Sequence, residues 1–116
     1  MPKRNQSLRV HCDFELTMDI VGGKWKGLVI YHLFKGTKRF VELKQLIPMI
    51  TSRMLTLQLR ELEADEIILR KVHPEVPPRV EYSLTPIGAA LQPAFKSINE
   101  WGALYKTSPK TPGSTS

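Results

Sequence analysis

Cysteine is almost missing from this chain of 116 residues, and the single one present, Cys12, excludes an internal disulfide framework. Also missing is any apolar run near the ~18 residues that a membrane span requires. The opening MPKRNQSLRVHC is basic but has no apolar core of a signal peptide, which points to a reducing cytoplasm. No glycine-rich loop that could cradle a phosphate appears, and there is no internal repeat. Acidic residues are in deficit: 17 Lys and Arg against 11 Asp and Glu leave a net charge of +6 at neutral pH. That surplus favours a polyanionic partner without identifying it.

Catalytic signals are equally thin. His11, Cys12 and Asp13 are adjacent in sequence, whereas a working nucleophile and base usually meet through folding. His32 and His73 share no ligand spacing with other Cys or His residues. The chain therefore reads as no enzyme, and no metal or cofactor is expected.

What is there matches one ordinary globular domain, 41% hydrophobic and 24% charged, large enough to bury roughly two-thirds of its unfolded surface. The ending TSPKTPGSTS cannot bury enough to order itself. The organisation expected is a basic arm over 1–11, a folded domain over 12–106 and a loose tail over 107–116.

Periodicity supplies the elements. Asp13 can cap a short helix carrying Phe14, Leu16, Met18, Ile20 and Val21, which Gly22 and Gly23 terminate. Lys24 to Phe34 reads as a second helix with Trp25, Leu28, Val29 and Leu33 facing a core, ended by Gly36. Arg39 to Ile47 is a third, with Phe40, Leu43 and Leu46 three and four apart, closed by Pro48. A fourth opens at Thr51-Ser52 and runs through TSRMLTLQLRELE, residues 51–63. Two short helices joined by a tight turn are the pattern of a helix-turn-helix, whose second helix can lie in the major groove of DNA.

On that fourth helix Met54, Leu55, Leu59 and Leu62 share one side, while Ser52, Arg53, Thr56 and Arg60 gather on the opposite side. A helix kept only for solubility would more often carry Glu and Lys paired four apart. Arg53 and Thr56 are the candidates for base edges or nearby backbone. Thr51 and Ser52 suit phosphate at the helix N-terminus, where free N–H groups attract anions. Thr51 or Ser52 could equally serve only as a cap, and Arg60 could pair with Glu61 or Glu63. Lys38 and Arg39 flank the preceding helix and add to the candidate surface.

Beyond the fourth helix the period changes to that of strands. Ile67, Ile68, Leu69 and Val72, then Val80, Tyr82 and Leu84, are separated by HPEVPPR, whose prolines stiffen the tip. The fold class expected is mainly α with a small β-hairpin wing, a winged helix-turn-helix. Arg79 at the wing edge could reach a phosphate or a narrow minor groove. Thr85-Pro86 opens a last helix in which Ile87, Leu91, Ala94, Ile98, Trp101 and Tyr105 form a seam. Its first half is expected in the core, its second half in a subunit contact, and Pro93 is expected to bend it.

The stretches CDFELTMDIVGGKW, RFVELKQLIP, ITSRMLTLQLRELE and HPEVPPRVEYSLTPIG, in this order and spacing, resemble the HxlR family of bacterial winged helix-turn-helix transcription regulators over about residues 12–105. The resemblance implies a regulator that binds double-stranded operator DNA, as an inverted repeat, and a homodimer joined through the first and last helices. That places Phe14, Met18, Ile98, Trp101 and Tyr105 at the dimer interface. The departures are Met49 where the family usually has Gly before the recognition helix, Asp65-Glu66 where it usually has Asp-Gly, and Leu57 where a polar residue often stands. Leu57 either meets a thymine methyl or packs inward.

Cys12 lies before a helix start, with Arg9 and His11 near in sequence and Asp13 opposing them. The resemblance implies a redox or electrophile sensor at this position, although Asp13 replaces the usual Pro after it; a small packing residue is the other reading. The rival to DNA binding is a winged-helix module that binds protein through its apolar end helices. Salt dependence separates the two.

Overall fold

Six helices and three strands follow one another along residues 12–109, the part of the chain that the structure, a computed structural model, describes. They are α1 (Asp13–Val21), α2 (Lys26–Leu33), β1 (Lys38–Arg39), α3 (Phe40–Leu46), α4 (Ser52–Ala64), β2 (Ile68–His73), β3 (Arg79–Leu84), α5 (Pro86–Ala89) and α6 (Gln92–Thr107). The expected basic arm, and all but the first residues of the expected tail, lie outside the described residues. α6 runs through Thr107, one residue past the expected domain edge.

The core is made where α2, α3 and α4 meet the sheet. Val29, Ile30 and Leu33 of α2, Leu43 of α3, and Leu55, Leu59 and Leu62 of α4 close on Ile47, Ile50, Ile67, Ile68 and Tyr82. The stripe on α2 differs from the expected one. Leu28 is 43% exposed, and Ile30 takes a buried place. Lys26, Val29, Ile30 and Leu33 form the i, i+3, i+4, i+7 face. A lysine occupies its first position, so hydrophobicity alone misplaces the face. The Lys26 ammonium is held by Glu61 of α4 at 2.8 Å. Similarly Leu46, expected inside, is 44% exposed, while Ile47 and Ile50 in the turn after α3 are buried.

Thr51 caps α4 by accepting the Met54 N–H at 3.0 Å. At the other end Glu66 adopts φ 61°. The Ile67 N–H donates to the Leu62 carbonyl and the Glu66 N–H to the Glu63 carbonyl, which is the Schellman arrangement with glutamate in the left-handed place. The fold therefore absorbs the strain of this departure. Met49 differs: among the described residues Glu66 is the one non-glycine with positive φ, so the turn before α4 does without a left-handed residue.

The hairpin runs from Ile68↔Leu84 to His73↔Arg79. A third strand, not anticipated from the sequence, joins it: β1 pairs antiparallel with β3, Lys38 opposite Tyr82 and Arg39 opposite Glu81, giving the order β1-β3-β2. Two residues are too few for a period, which is why Arg39 reads as the start of a helix and Lys38 as its flank. At the base of the hairpin the Thr85 hydroxyl donates to the carbonyls of Glu66 and Ile67 and accepts the Gly88 N–H. A Cβ on Gly88 would stand 2.2 Å from the Ile67 carbonyl oxygen, so this close approach of α5 to the chain before β2 requires glycine.

The expected single last helix is two. Ala90 and Leu91 interrupt it, and Pro93 falls in the first turn of α6, where a missing N–H costs no helical bond. Pro93 therefore starts a helix instead of bending one. The interruption also shifts the phase: Leu91 and Phe95 pack on the core, while Ile87 is 65% exposed and Ala94 is exposed.

Candidate nucleic-acid interface

α4 turns Leu55, Leu59 and Leu62 inward, so its opposite side is fixed by geometry. Arg53 is exposed there, and so are Thr51, Ser52 and Leu57. Of the two readings of Leu57, packing inward is excluded by its 45% exposure. The Thr51 hydroxyl is engaged in capping, whereas Ser52 stands at the first helical position beside it. The Thr56 hydroxyl donates to the Ser52 carbonyl at 2.9 Å. In this rotamer it keeps only acceptor capacity, suited to a base amino group instead of a phosphate oxygen. Glu61 is drawn to the other flank by Lys26, and among the described residues Arg60 has no acidic partner.

Lys38 and Arg39 are placed by β1. Lys38 is half-buried and Arg39 exposed. The Arg39 N–H donates to Glu42 Oε1 at 2.7 Å, starting α3. The wing arginine is less free than expected. Arg79 Nη2 lies 3.0 Å from Glu75 and Nη1 3.8 Å from Glu81. Glu81 also receives His73 Nε2 at 2.8 Å. That hydrogen bond, ahead of the partial burial that opposes it and of the nearby Arg79, His73 and Lys71 charges, holds the Glu81 carboxyl below the usual carboxylate range.

His32, on α2 behind this surface, has its pKa pushed down, first by burial and then by Lys35 and Lys38. Among the described residues its Nδ1 finds no hydrogen-bond partner. It is a neutral, packed side chain near neutral pH. No group of three or more His, Cys, Asp or Glu residues gathers among the described residues as a metal site.

Cys12, not Asp13, caps α1: its sulfur accepts the Glu15 N–H at 3.5 Å. The thiol is exposed. On the same protomer Phe14 is 70% exposed, Ile98 61%, Trp101 63% and Tyr105 53%, with Met18 at 40%. The Trp101 and Tyr105 rings stack at 5.3 Å. α6 contains no fully buried residue within the protomer, and Ile98, Trp101 and Tyr105 on it, like Phe14 and Met18 on α1, are large apolar side chains left in contact with solvent. No described helix is long and apolar enough to cross a membrane.

Comparison with known proteins agrees with this arrangement. A family model described as HxlR-like helix-turn-helix matches residues 20–110. The Bacillus subtilis HTH-type transcriptional regulator YdeP is 57% identical over 95 residues, covering 82% of this chain and 74% of that one. The solved structure of the redox regulator HypR in its reduced form superimposes with a TM-score of 0.80 at 52% identity, covering 83% of this chain and 95% of that one. YodB from B. subtilis in its reduced form gives 0.75 at 39% identity, over 87% of this chain and all of that one. Diamide-treated and quinone-bound forms of YodB are also similar.

Proposed function

Since this chain belongs to the HxlR-like helix-turn-helix family of transcriptional regulators, we propose that it binds specific double-stranded operator DNA as a homodimer in the cytoplasm, with Cys12 as its redox or electrophile sensor. The observation that carries the reading is the exposed Arg53 and Ser52 face of α4 next to a hairpin wing. With the leucines of α4 turned to the core, the side chains of Arg53 and Ser52 have no partner among the described residues. Lys38 and Arg39 supply backbone contacts; Thr51, Ser52, Arg53 and Thr56 approach the groove. Arg79 reaches DNA only by exchanging Glu75 or Glu81 for phosphate. Phe14, Met18, Ile98, Trp101 and Tyr105 join the two copies.

The redox part rests on the exposed thiol at a helix start and on the similarity to two regulators whose solved forms include an oxidised HypR and a quinone-bound YodB. The test is to sequence the genomic fragments retained by the purified protein with and without oxidant. Enrichment of one motif with two-fold symmetry, its half-sites one or two helical turns apart, supports the regulator. A shift of affinity for that motif by oxidant, absent in Cys12→Ser, supports the sensor. Serine keeps the cap, so the variant stays folded. Retention of fragments without a common motif speaks for the protein-binding alternative.

A further inference from the structure

A duplex that offers its major groove to α4 and the adjacent minor groove to the wing carries one phosphodiester strand between those grooves. That strand must cross the surface between α4 and the hairpin. The surface there is a cleft of about 450 Å³ lined by Thr56, Leu59, Arg60, Glu63, Arg70 and Tyr82.

Two arginines from different elements converge on it. Arg70 is opposite Tyr82 across the β2–β3 ladder and alternates with Ile68, so it lies on the sheet face that turns to α4. Ile68 and Tyr82 of that face are buried, whereas Arg70 at the rim is exposed. Arg60 is one turn beyond Thr56 and exposed. Among the described residues neither arginine has an acidic partner, in contrast to Lys26 and Arg79. Leu59 and Tyr82 form the floor and keep both charged groups at the mouth. Glu63 lines the same cleft and offsets part of their charge.

We propose that Arg60 and Arg70 form a clamp for the phosphodiester strand of duplex DNA that runs between the two grooves, with Glu63 limiting its strength. This rests on the reading of α4 as the DNA-facing helix, and adds to it a sequence-independent contact made jointly by helix and wing. A clamp on phosphate sets the register of the protein on DNA and carries no base information.

The test uses mixed-sequence duplex DNA and the full chain, with the association constant measured across a salt series. Arg60→Gln and Arg70→Gln each lower the slope of log K against log salt by about 1, and the double variant by about 2. The ratio of affinities for the selected motif and mixed DNA stays unchanged, and Arg70→Lys restores most of the slope. Glu63→Gln tightens binding to mixed DNA. Wild-type slopes in both Gln variants, or a lost motif preference with the slope intact, overturn the clamp while DNA binding stands. If wild type itself shows no salt-dependent duplex binding, the clamp and the regulator reading fall together. Melting of each variant separates a lost contact from a lost fold.

Discussion

Arg53 and Glu66 show how differently two exposed charged residues at opposite ends of α4 can act. Arg53 projects from the side of α4 opposite its buried leucines, and arginine discriminates bases by paired hydrogen bonds at the groove edge. Arg53→Ala should weaken binding to the selected motif by about 1–3 kcal/mol and leave binding to mixed DNA much less affected. Equal losses on both would remove the base-reading role. Glu66 stands at φ 61° in the turn after α4, a conformation that costs a residue with a Cβ about 1–2 kcal/mol. Glycine there relieves that cost but gains freedom in the unfolded chain, so Glu66→Gly should raise stability by about 1 kcal/mol. A denaturant midpoint at or below wild type would contradict this. Cys12 and Leu57 show what sequence leaves open at this scale: each had a packing reading beside a functional one, and spacing alone did not give the exposure that both show.

The hairpin is where element-scale forces are clearest. His73, Glu75, Arg79 and Glu81 tie the wing together at its tip, by the His73–Glu81 hydrogen bond and by ion pairs of Arg79 with Glu75 and Glu81, because alternation puts His73, Arg79 and Glu81 on the sheet face away from α4. The Glu81 carboxyl is lowered by its His73 hydrogen bond. A carboxyl whose folded pKa lies below its unfolded one contributes stability above the unfolded value and loses it as pH falls through the folded one. The wing of wild type should therefore loosen as pH drops below the ordinary carboxylate range. Glu81→Gln should start looser and lack that pH dependence. Amide exchange of β2 and β3 measured against pH checks this, and identical profiles for the two proteins would discard it. Helices α3 and α4 were legible because leucine recurs at helical spacing and Thr51 and Pro48 punctuate them. The break before α6 was not, since Ala90 and Leu91 are ordinary helix formers. Pro93, which cannot donate to the Ala89 carbonyl, and the approach of α5 to the Ile67 carbonyl, through Gly88 and Thr85, together redirect the chain there.

For the whole molecule the open question is what covers α1 and α6. α6 packs on the core through Phe95 but has no fully buried residue, and Trp101, Leu104 and Tyr105 are all more than half exposed. A second copy offering the same surface satisfies both at once, as two-fold symmetric interfaces do. Trp101→Glu would place a charge at the centre of that contact and should weaken association by at least about 2 kcal/mol, roughly thirtyfold. Sedimentation should then shift from the proposed dimer toward the 13.2 kDa protomer, and binding to the selected motif should fall with it. A variant that sediments as wild type would mean that the helices meet some other partner. The net charge of +6 acts at this scale too. Under the proposed function it would speed encounter with DNA and make binding salt-dependent, with the choice of site assigned to Arg53 and its neighbours.

Taken by itself, the sequence determined the order of the first four helices and the two hairpin strands, the turn between α3 and α4, the proline-rich tip of the hairpin, and which side of α4 faces out. All of these follow from spacing along one segment of chain, because helix and strand periods and turn residues act locally. Tertiary structure decided the burial of Lys26 through Glu61, the pairing of β1 with β3, the engagement of Arg79 by Glu75 and Glu81, and the approach of Arg70 to Arg60. Most of these join residues far apart in sequence, and the Arg79 pairs depend on the hairpin's register. Their partners exist only once the core has brought α2, α4 and the sheet together.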